Sequence, residues 1–267
     1  MGDNGSHPMR ALLVFLAAAG LLAAAPPVVE VRVYKGRPTV FIDGKPDALP
    51  GFNTFGKAAF DRSMTLAYGN RFSAYFITPA VRPDAWPETR FWRGDRITDT
   101  PQGPPWPGLF DLDEQAGHVL RGDPDGYLIV RFGLWPPPSW RDAHPQEYFI
   151  NEEGSPGPAP SLASDVFYDA ADRFTAALIR YCESRPWANR VIGYANFGVQ
   201  EGTHPPLAQH WLFDHGPLMS ARWRRFLEAK YGAIEKLRAA YGDRAATFGS
   251  VPVPRDKLRG PAPALAG

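Results

Sequence analysis

Apolar and polar positions along this chain change period several times, and the changes mark out its elements. Residues 29–34 alternate as Val-Glu-Val-Arg-Val-Tyr, Lys35-Gly36-Arg37-Pro38 turns the chain, and residues 39–42 run on into Asp43-Gly44-Lys45-Pro46. That pattern predicts a β-hairpin followed by a second turn. Gly51-Phe52-Asn53-Thr54 reads as a short strand, and residues 71–78, rich in aromatic and β-branched side chains, as a clearer one. Residues 79–108 carry many prolines and Trp86, Phe91, Trp92 and Trp106 without a sustained period, which predicts a long surface loop of functional use. Helical spacing begins in residues 111–122, where Leu112, Ala116, Val119 and Leu120 share a stripe, and Pro124-Asp125-Gly126 breaks it.

Residues 127–134 form a near-continuous apolar run interrupted by Arg131, the pattern of a strand covered on both faces. A second loop, residues 135–163, holds Pro136-Pro137-Pro138 and Trp140. Ser164 is placed to cap a helix whose Val166, Ala170, Phe174, Ala177, Leu178 and Tyr181 form one stripe, with Pro186 just past its end. Residues 190–197 read as another buried strand leading into Gly198-Val199-Gln200-Glu201-Gly202. Two helices follow, residues 218–231 with Met219, Trp223, Phe226 and Leu227 spaced for burial and Gly232 at C′, and residues 234–241 ending at Gly242.

Strand and helix thus alternate, with the longest loops after strands, which predicts an α/β fold around a parallel sheet. The count is about four βα units, a partial (β/α)8 TIM barrel preceded by a small β-hairpin. The expected organisation is a signal peptide over residues 1–27, the hairpin segment over 28–48, the partial-barrel catalytic-type domain over 49–250, and a disordered Pro- and Gly-rich tail over 251–267.

Composition narrows the function. Lys and Arg number 29 against 28 Asp and Glu, so there is no basic field to release counterions from a phosphate backbone, and nucleic acid is not an expected partner. Eight Trp and ten Tyr matter more, because flat rings stack on the apolar faces of sugars, although ordinary core packing competes for each ring. Arg10, the apolar run of residues 11–22 and Ala23-Ala24-Ala25-Pro26-Pro27 have the form of a secretory signal, with translation beginning at Met9. The run is shorter than the ~18–20 apolar residues of a bilayer span, so a cleaved signal is expected ahead of the alternative, an uncleaved anchor, with no membrane attachment after cleavage. Cys182 is the single cysteine, which excludes an intrachain disulfide; export without disulfides fits a secreted or periplasmic bacterial protein.

Glu201 is the sharpest chemical signal. It lies at the C-terminal end of an expected buried strand between glycines, where a carboxyl group whose pKa is raised can protonate a glycosidic oxygen; a solvent-exposed loop glutamate is the competing reading. Arg131 needs an acidic or ligand partner if its strand is buried, and a structural ion pair explains it as well as a substrate contact. Trp135 and Trp140 follow the same strand as sugar-platform candidates, and Asn53 and Asn196 sit at other strand ends as hydroxyl-binding candidates. His204, His210 and His215 match no zinc spacing, and Asp142, Glu147, Glu152 and Glu153 read as solvated surface charge. The absence of G-x-G-x-x-G, Walker and G-x-S-x-G motifs argues against nucleotide enzymes and serine hydrolases, and neither metal nor cofactor is expected.

Phe41-Ile42-Asp43-Gly44-Lys45-Pro46, Phe110-Asp111-Leu112-Asp113 through Asp123-Pro124-Asp125, Arg131 with Pro138-Ser139-Trp140, Pro160-Ser161-Leu162-Ala163-Ser164, Val191-Ile192-Gly193-Tyr194, Gln200-Glu201 and Arg224-Arg225-Phe226-Leu227-Glu228-Ala229-Lys230-Tyr231-Gly232 occur in an order that resembles glycoside hydrolase family 42-type β-galactosidases and related clan A glycosidases. The similarity runs from about residue 30 to about residue 254. It implies a carbohydrate substrate, a retaining mechanism in a (β/α)8 barrel, and Glu201 as acid/base at the end of the fourth strand. Gln200 stands where that clan usually has Asn, keeping an amide at longer reach. The family's nucleophile lies at the end of the seventh strand, whereas 25 residues follow Gly242 here. A retaining site needs carboxyls ~5–5.5 Å apart, so the resemblance leaves a truncated piece, a barrel completed by a homo-oligomer or partner chain, or a sugar-binding protein.

Overall fold

The computed structural model describes residues 26–52, 72–79, 89–103, 111–196 and 214–254. Asn53, Gln200 and Glu201 lie outside the described residues, as do residues 1–25 of the expected signal.

At the N-terminal end of the described chain, β1 (Val29–Tyr34), β2 (Arg37–Ile42) and β3 (Lys45–Asp47) form an antiparallel meander. The expected hairpin therefore gains a third strand. Its two turns, Lys35-Gly36 and Asp43-Gly44, have positive φ at all four residues, as a right-twisted two-residue hairpin demands, and glycine fills the second position each time. Register pairs Tyr34 with Arg37 and Val31 with Val40, and β2 with β3 through Ile42 and Lys45.

The main body is a four-stranded parallel sheet of β4 (Gly51–Phe52), β5 (Ala74–Ile77), β8 (Tyr127–Phe132) and β11 (Val191–Asn196), lying side by side in chain order. Between β5 and β8 come the short hairpin β6 (Trp92–Arg93) and β7 (Arg96–Ile97), then helix α1 (Leu112–Gly122). Between β8 and β11 come α2 (Pro138–Ala143), a 3-10 turn, the hairpin of β9 (Tyr148–Ile150) and β10 (Pro156–Pro160), and the long helix α3 (Asp165–Glu183). Residues 135–163, expected as a loop, are thus largely built structure, and the described part of the expected loop 79–108 holds a short hairpin. The strand order never reverses within these four strands, so the chain winds in one direction instead of doubling back.

One face of this sheet makes the core. Tyr75, Ile77, Leu128, Val130, Phe132 and Val191 pack against Leu112, Ala116 and Val119 of α1 and Phe167, Ala170, Phe174 and Leu178 of α3. Each Val, Leu, Ile and Phe among them contributes roughly 1.5–3 kcal/mol when fully buried. The Ser164 hydroxyl accepts from the Phe167 N–H at 2.9 Å and caps α3 as expected, but the buried stripe starts at Phe167, and Val166 is exposed. Phe91 and Trp92, expected on a surface loop, are core residues that reach α3: Phe91 meets Tyr181 edge-on and Trp92 packs on Phe174.

β8 corrects the expectation of a strand covered on both faces. Leu128, Val130 and Phe132 are buried against the helices, whereas Tyr127, Ile129 and Arg131 on the opposite face are half-buried. The apolar run is continuous because Ile129 is apolar on a face that is only partly covered.

Past residue 213, α4 (Pro217–Tyr231) and α5 (Ile234–Tyr241) form a second, smaller core in which Leu227, Leu237, Ala246 and Val251 are buried and Trp223, Tyr231, Ile234 and Phe248 pack around them. Phe226, expected inside, is exposed and stacks on Trp223. Val251, expected to open a disordered tail, instead belongs to this core. Among the described residues no helix is long and apolar enough to cross a membrane.

Candidate functional site

The C-terminal ends of β5, β8 and β11 come together at one edge of the sheet, and register sets which side chains share a face there. Ala74 pairs with Tyr127, Phe76 with Ile129, Gly193 with Ile129, and Ala195 with Arg131. These residues, with Gly51 opposite Ala74, form the face turned away from α1 and α3. None of them is a carboxylate. Among the described residues a Cβ on Gly193 would meet nothing within 4 Å.

Arg131 is the charged member of that face and stands near its C-terminal end. Burial lowers its pKa from the ordinary guanidinium value, so the site holds a cation taken part-way out of water. Trp135, three residues past β8, is half-buried. Asn196 ends β11 exposed and pairs with Phe132, which puts it by the pleat on the face of Tyr194 and not on that of Arg131.

Trp140 is core. It is 1% exposed, with Trp92 edge-on at 6.1 Å, Tyr148 at 6.1 Å, Phe167 at 6.2 Å and the His144 ring tilted over it at 4.6 Å between centroids. Ordinary packing, not sugar stacking, accounts for it. Glu147 is not solvated surface charge either: it is buried, and its Oε2 accepts from the Ser164 hydroxyl at 2.6 Å, so it braces the cap of α3. Asp142 and Glu153 are exposed as expected.

Three polar assemblies that single residue types could not reveal hold this edge in place. The buried Gln115 of α1 binds both main-chain groups of Thr78, the residue after β5. Arg90, buried, donates to Asp111 at 2.5 Å and to the carbonyls of Gln102 and Gly103, tying the segment 89–103 to the start of α1. Asp214 is 2% exposed; its Oδ2 accepts from the Ser161 hydroxyl, and its Oδ1 accepts from the Gly216 N–H at 2.8 Å and the Ile150 N–H at 3.2 Å. The described chain thus resumes, after residues 197–213, at a buried aspartate fixed to the β9–β10 hairpin. The sequence signal for Asp214 was weak, since only its fold neighbours distinguish it from a loop aspartate.

A cavity of about 450 Å3 opens elsewhere, between α4 and the turn that follows α5, lined by Trp223, Arg224 and Phe248; no strand-end residue lines it.

Solved structures with this arrangement include β-galactosidases. That of the psychrophilic Marinomonas ef1 aligns over 76% of this chain and 29% of its own, at 18% identity and a TM-score of 0.51. The β-galactosidase of the Antarctic haloarchaeon Halorubrum lacusprofundi aligns over 78% and 29%, at 16% identity and a TM-score of 0.52. The cold-adapted β-galactosidase of Rahnella sp. R3 aligns over 73% and 26%, at 15% identity and a TM-score of 0.51. No family model matches the sequence, and no curated protein does. The likeness is one of fold: a mixed α/β chain with a parallel sheet and helices, as in these glycosidases, spanning less than a third of their length.

Proposed function

We propose that the chain is an exported glycoside hydrolase of β-galactosidase type, of the family 42 kind, whose four parallel strands are the first half of a (β/α)8 barrel. The observation that carries this reading is the placement of Arg131: it stands near the C-terminal end of β8, on the face turned away from the helices, beside β11, the strand that precedes Glu201 in the sequence. In this reading Glu201 is the general acid/base of a retaining mechanism. Gln200 and Asn53 bind sugar hydroxyls and Trp135 supplies an aromatic face, whereas Asn196, expected as a further hydroxyl ligand, is on the helix side of β11 and is left out of the site.

A retaining site sets its second carboxyl ~5–5.5 Å from the first. The inner-face residues Gly51, Ala74, Phe76, Tyr127, Ile129, Arg131, Gly193 and Ala195 include no acid. The nucleophile in this proposal therefore does not come from the strand faces but from a loop acid such as Glu152, from outside the described residues, or from a partner chain that completes the barrel. Glu147 is not a substitute, because its carboxylate is committed to Ser164.

The test is turnover of an aryl β-galactoside by the full chain and by Glu201→Gln, beside calorimetric binding of lactose to the wild type and to Arg131→Met. The proposal expects binding weakened at least about tenfold in Arg131→Met, the size of one lost charged hydrogen bond. Any turnover should disappear in Glu201→Gln. Turnover that survives Glu201→Gln removes that residue as the acid, and binding with no turnover under any condition favours a sugar-binding protein on the same frame.

A further inference from the structure

β1 is an edge strand with its outer edge unpaired among the described residues, and the surface it presents is self-complementary. The two-residue turn Lys35-Gly36 makes Tyr34 and Arg37 the closing hydrogen-bonded pair of the hairpin. Alternation then sends the main-chain groups of Glu30, Arg32 and Tyr34 toward β2 and those of Val29, Val31 and Val33 outward. Pro38 fits this assignment, since it lies opposite Val33 and has no N–H to give. The side chains of the same three valines are 39%, 68% and 77% exposed, an apolar stripe along the open edge. On the opposite face Glu30 and Arg32 are paired at 3.6 Å and each is 46% exposed.

We infer that this edge docks a second copy of the same chain, β1 against β1, antiparallel about a two-fold axis at Val31. Only outward-facing residues can exchange hydrogen bonds across such a contact, which leaves three central registers. Pairing Val29 with Val31 sets Glu30 opposite the other copy's Glu30. Pairing Val31 with Val33 sets Arg32 opposite Arg32. Pairing Val31 with Val31 sets Glu30 opposite Arg32 twice and Val29 opposite Val33 twice, so the charges alternate in sign and the valine stripes meet. In this register the three valine pairs exchange about two main-chain bonds each. The result is one six-stranded antiparallel sheet running through two molecules, an isologous contact that closes on itself and uses up the aggregation-prone edge. The inference does not rest on the glycosidase reading, since it involves neither the parallel sheet nor residues 197–213.

The experiment is a charge swap on the full chain, read by sedimentation velocity over about a hundredfold range of concentration. Both side chains are 46% exposed, but Arg32 also lies over the buried Phe41 ring at 3.8 Å, so Arg32→Glu loses that contact as well, and the mixture of variants controls for the loss. The wild type should double in mass as concentration rises. Glu30→Arg and Arg32→Glu, each of which brings like charges together, should raise the dimer dissociation constant about tenfold or more. An equimolar mixture of the two variants should dimerise as well as the wild type, because each chain now meets the opposite charge. Val31→Pro, which removes an outward N–H but no bond to β2, should be monomeric. A wild type that stays monomeric throughout overturns the inference. So do single variants that associate like the wild type, which would place the contact elsewhere in the chain, and so does a mixture no better than its components.

Discussion

The side-chain amide of Gln115 closes a two-point contact with the main chain of Thr78: the Thr78 N–H donates to Oε1 at 2.9 Å, and Nε2 donates to the Thr78 carbonyl at 2.6 Å. A helix side chain thereby takes the place of a neighbouring strand just where β5 ends, and fixes the point from which the chain leaves the sheet edge.

Gln115→Ala should cost about 1–3 kcal/mol in urea unfolding, the range for leaving buried polar groups unsatisfied. Gln115→Glu makes the sharper test. Ionised, it cannot donate to the Thr78 carbonyl; protonated, it can. Its deficit against the wild type should shrink as pH drops from 7 toward 4, in the ordinary carboxyl range. A deficit that does not change with pH would deny the donor role.

Asp113 binds α1 to α3 and to the turn beyond it. Its carboxylate accepts from Tyr181 at 2.8 Å, from Arg185 at 2.8 and 2.6 Å, and from Trp187 at 2.7 Å. Burial opposes its ionisation, but the hydrogen bonds from Arg185, Trp187 and Tyr181 outweigh that and hold its pKa below the usual carboxylate value. A depressed folded pKa means stability that is whole above the unfolded pKa, ~3.9, and lost as pH falls toward the folded one. Asp113→Asn should be less stable than the wild type at pH 7, and the gap should narrow below about pH 4. A gap constant from pH 7 to about 3 would show that the charge contributes nothing.

Trp135 and Trp140 separate packing from binding. Trp140→Ala should cost about 3–5 kcal/mol, as large aromatic truncations in a core do. Trp135→Ala, at a half-buried position, should cost less than about half of that and weaken lactose binding without lowering the thermal midpoint by more than a few degrees. If Trp135→Ala leaves sugar affinity unchanged, the ring has no role in the site.

How far the sequence reveals the fold can be judged from particular residues. Ser164 announces the start of α3 because capping is local chemistry, and the 3.6-residue period finds its body; the stripe begins at Phe167 and not Val166 because one residue turns a helix by ~100°. The hairpin of β9 and β10 is illegible for the opposite reason. Its second strand, Pro-Gly-Pro-Ala-Pro, has poor strand propensity and is held from outside: any Cβ on Gly157 would run into the Phe149 ring, so glycine there lets the two strands close around that side chain. Arg131 stands out in sequence as a charge in an apolar strand, and its strand-end position agrees with that signal. Trp140 looks identical to Trp135 in sequence, and only the surrounding rings of Trp92, Tyr148 and Phe167 tell them apart.

Cys182 is fully buried in the main core, and burial, with the nearby Asp113 charge, pushes its thiol up to about 12. At pH 8 only about one thiol in ten thousand is then ionised, since each unit between pH and pKa is tenfold. An aromatic disulfide reagent should leave the native chain unlabelled and modify it at the rate of unfolding, so labelling should accelerate in urea along the main core's transition. Rapid labelling in buffer would show that α3 opens locally.

The existence of two separate apolar clusters bears on how the molecule comes apart. Among the described residues the smaller one buries four side chains, and its polar links to the rest are those of Asp214 to Ser161 and Ile150, of the His215 N–H to the Ile150 carbonyl at 2.8 Å, and of Arg222 to Asp165 at 3.5 Å, the last between exposed groups. Opening energies in a folded chain follow the amount of apolar surface each unit must expose. Amide protons of Leu227 and Leu237 should therefore exchange through a partial opening that leaves those of Leu128 and Leu178 protected, and the chain should behave on the clock of hydrogen exchange as two cooperative units, with the helical pair releasing before the sheet.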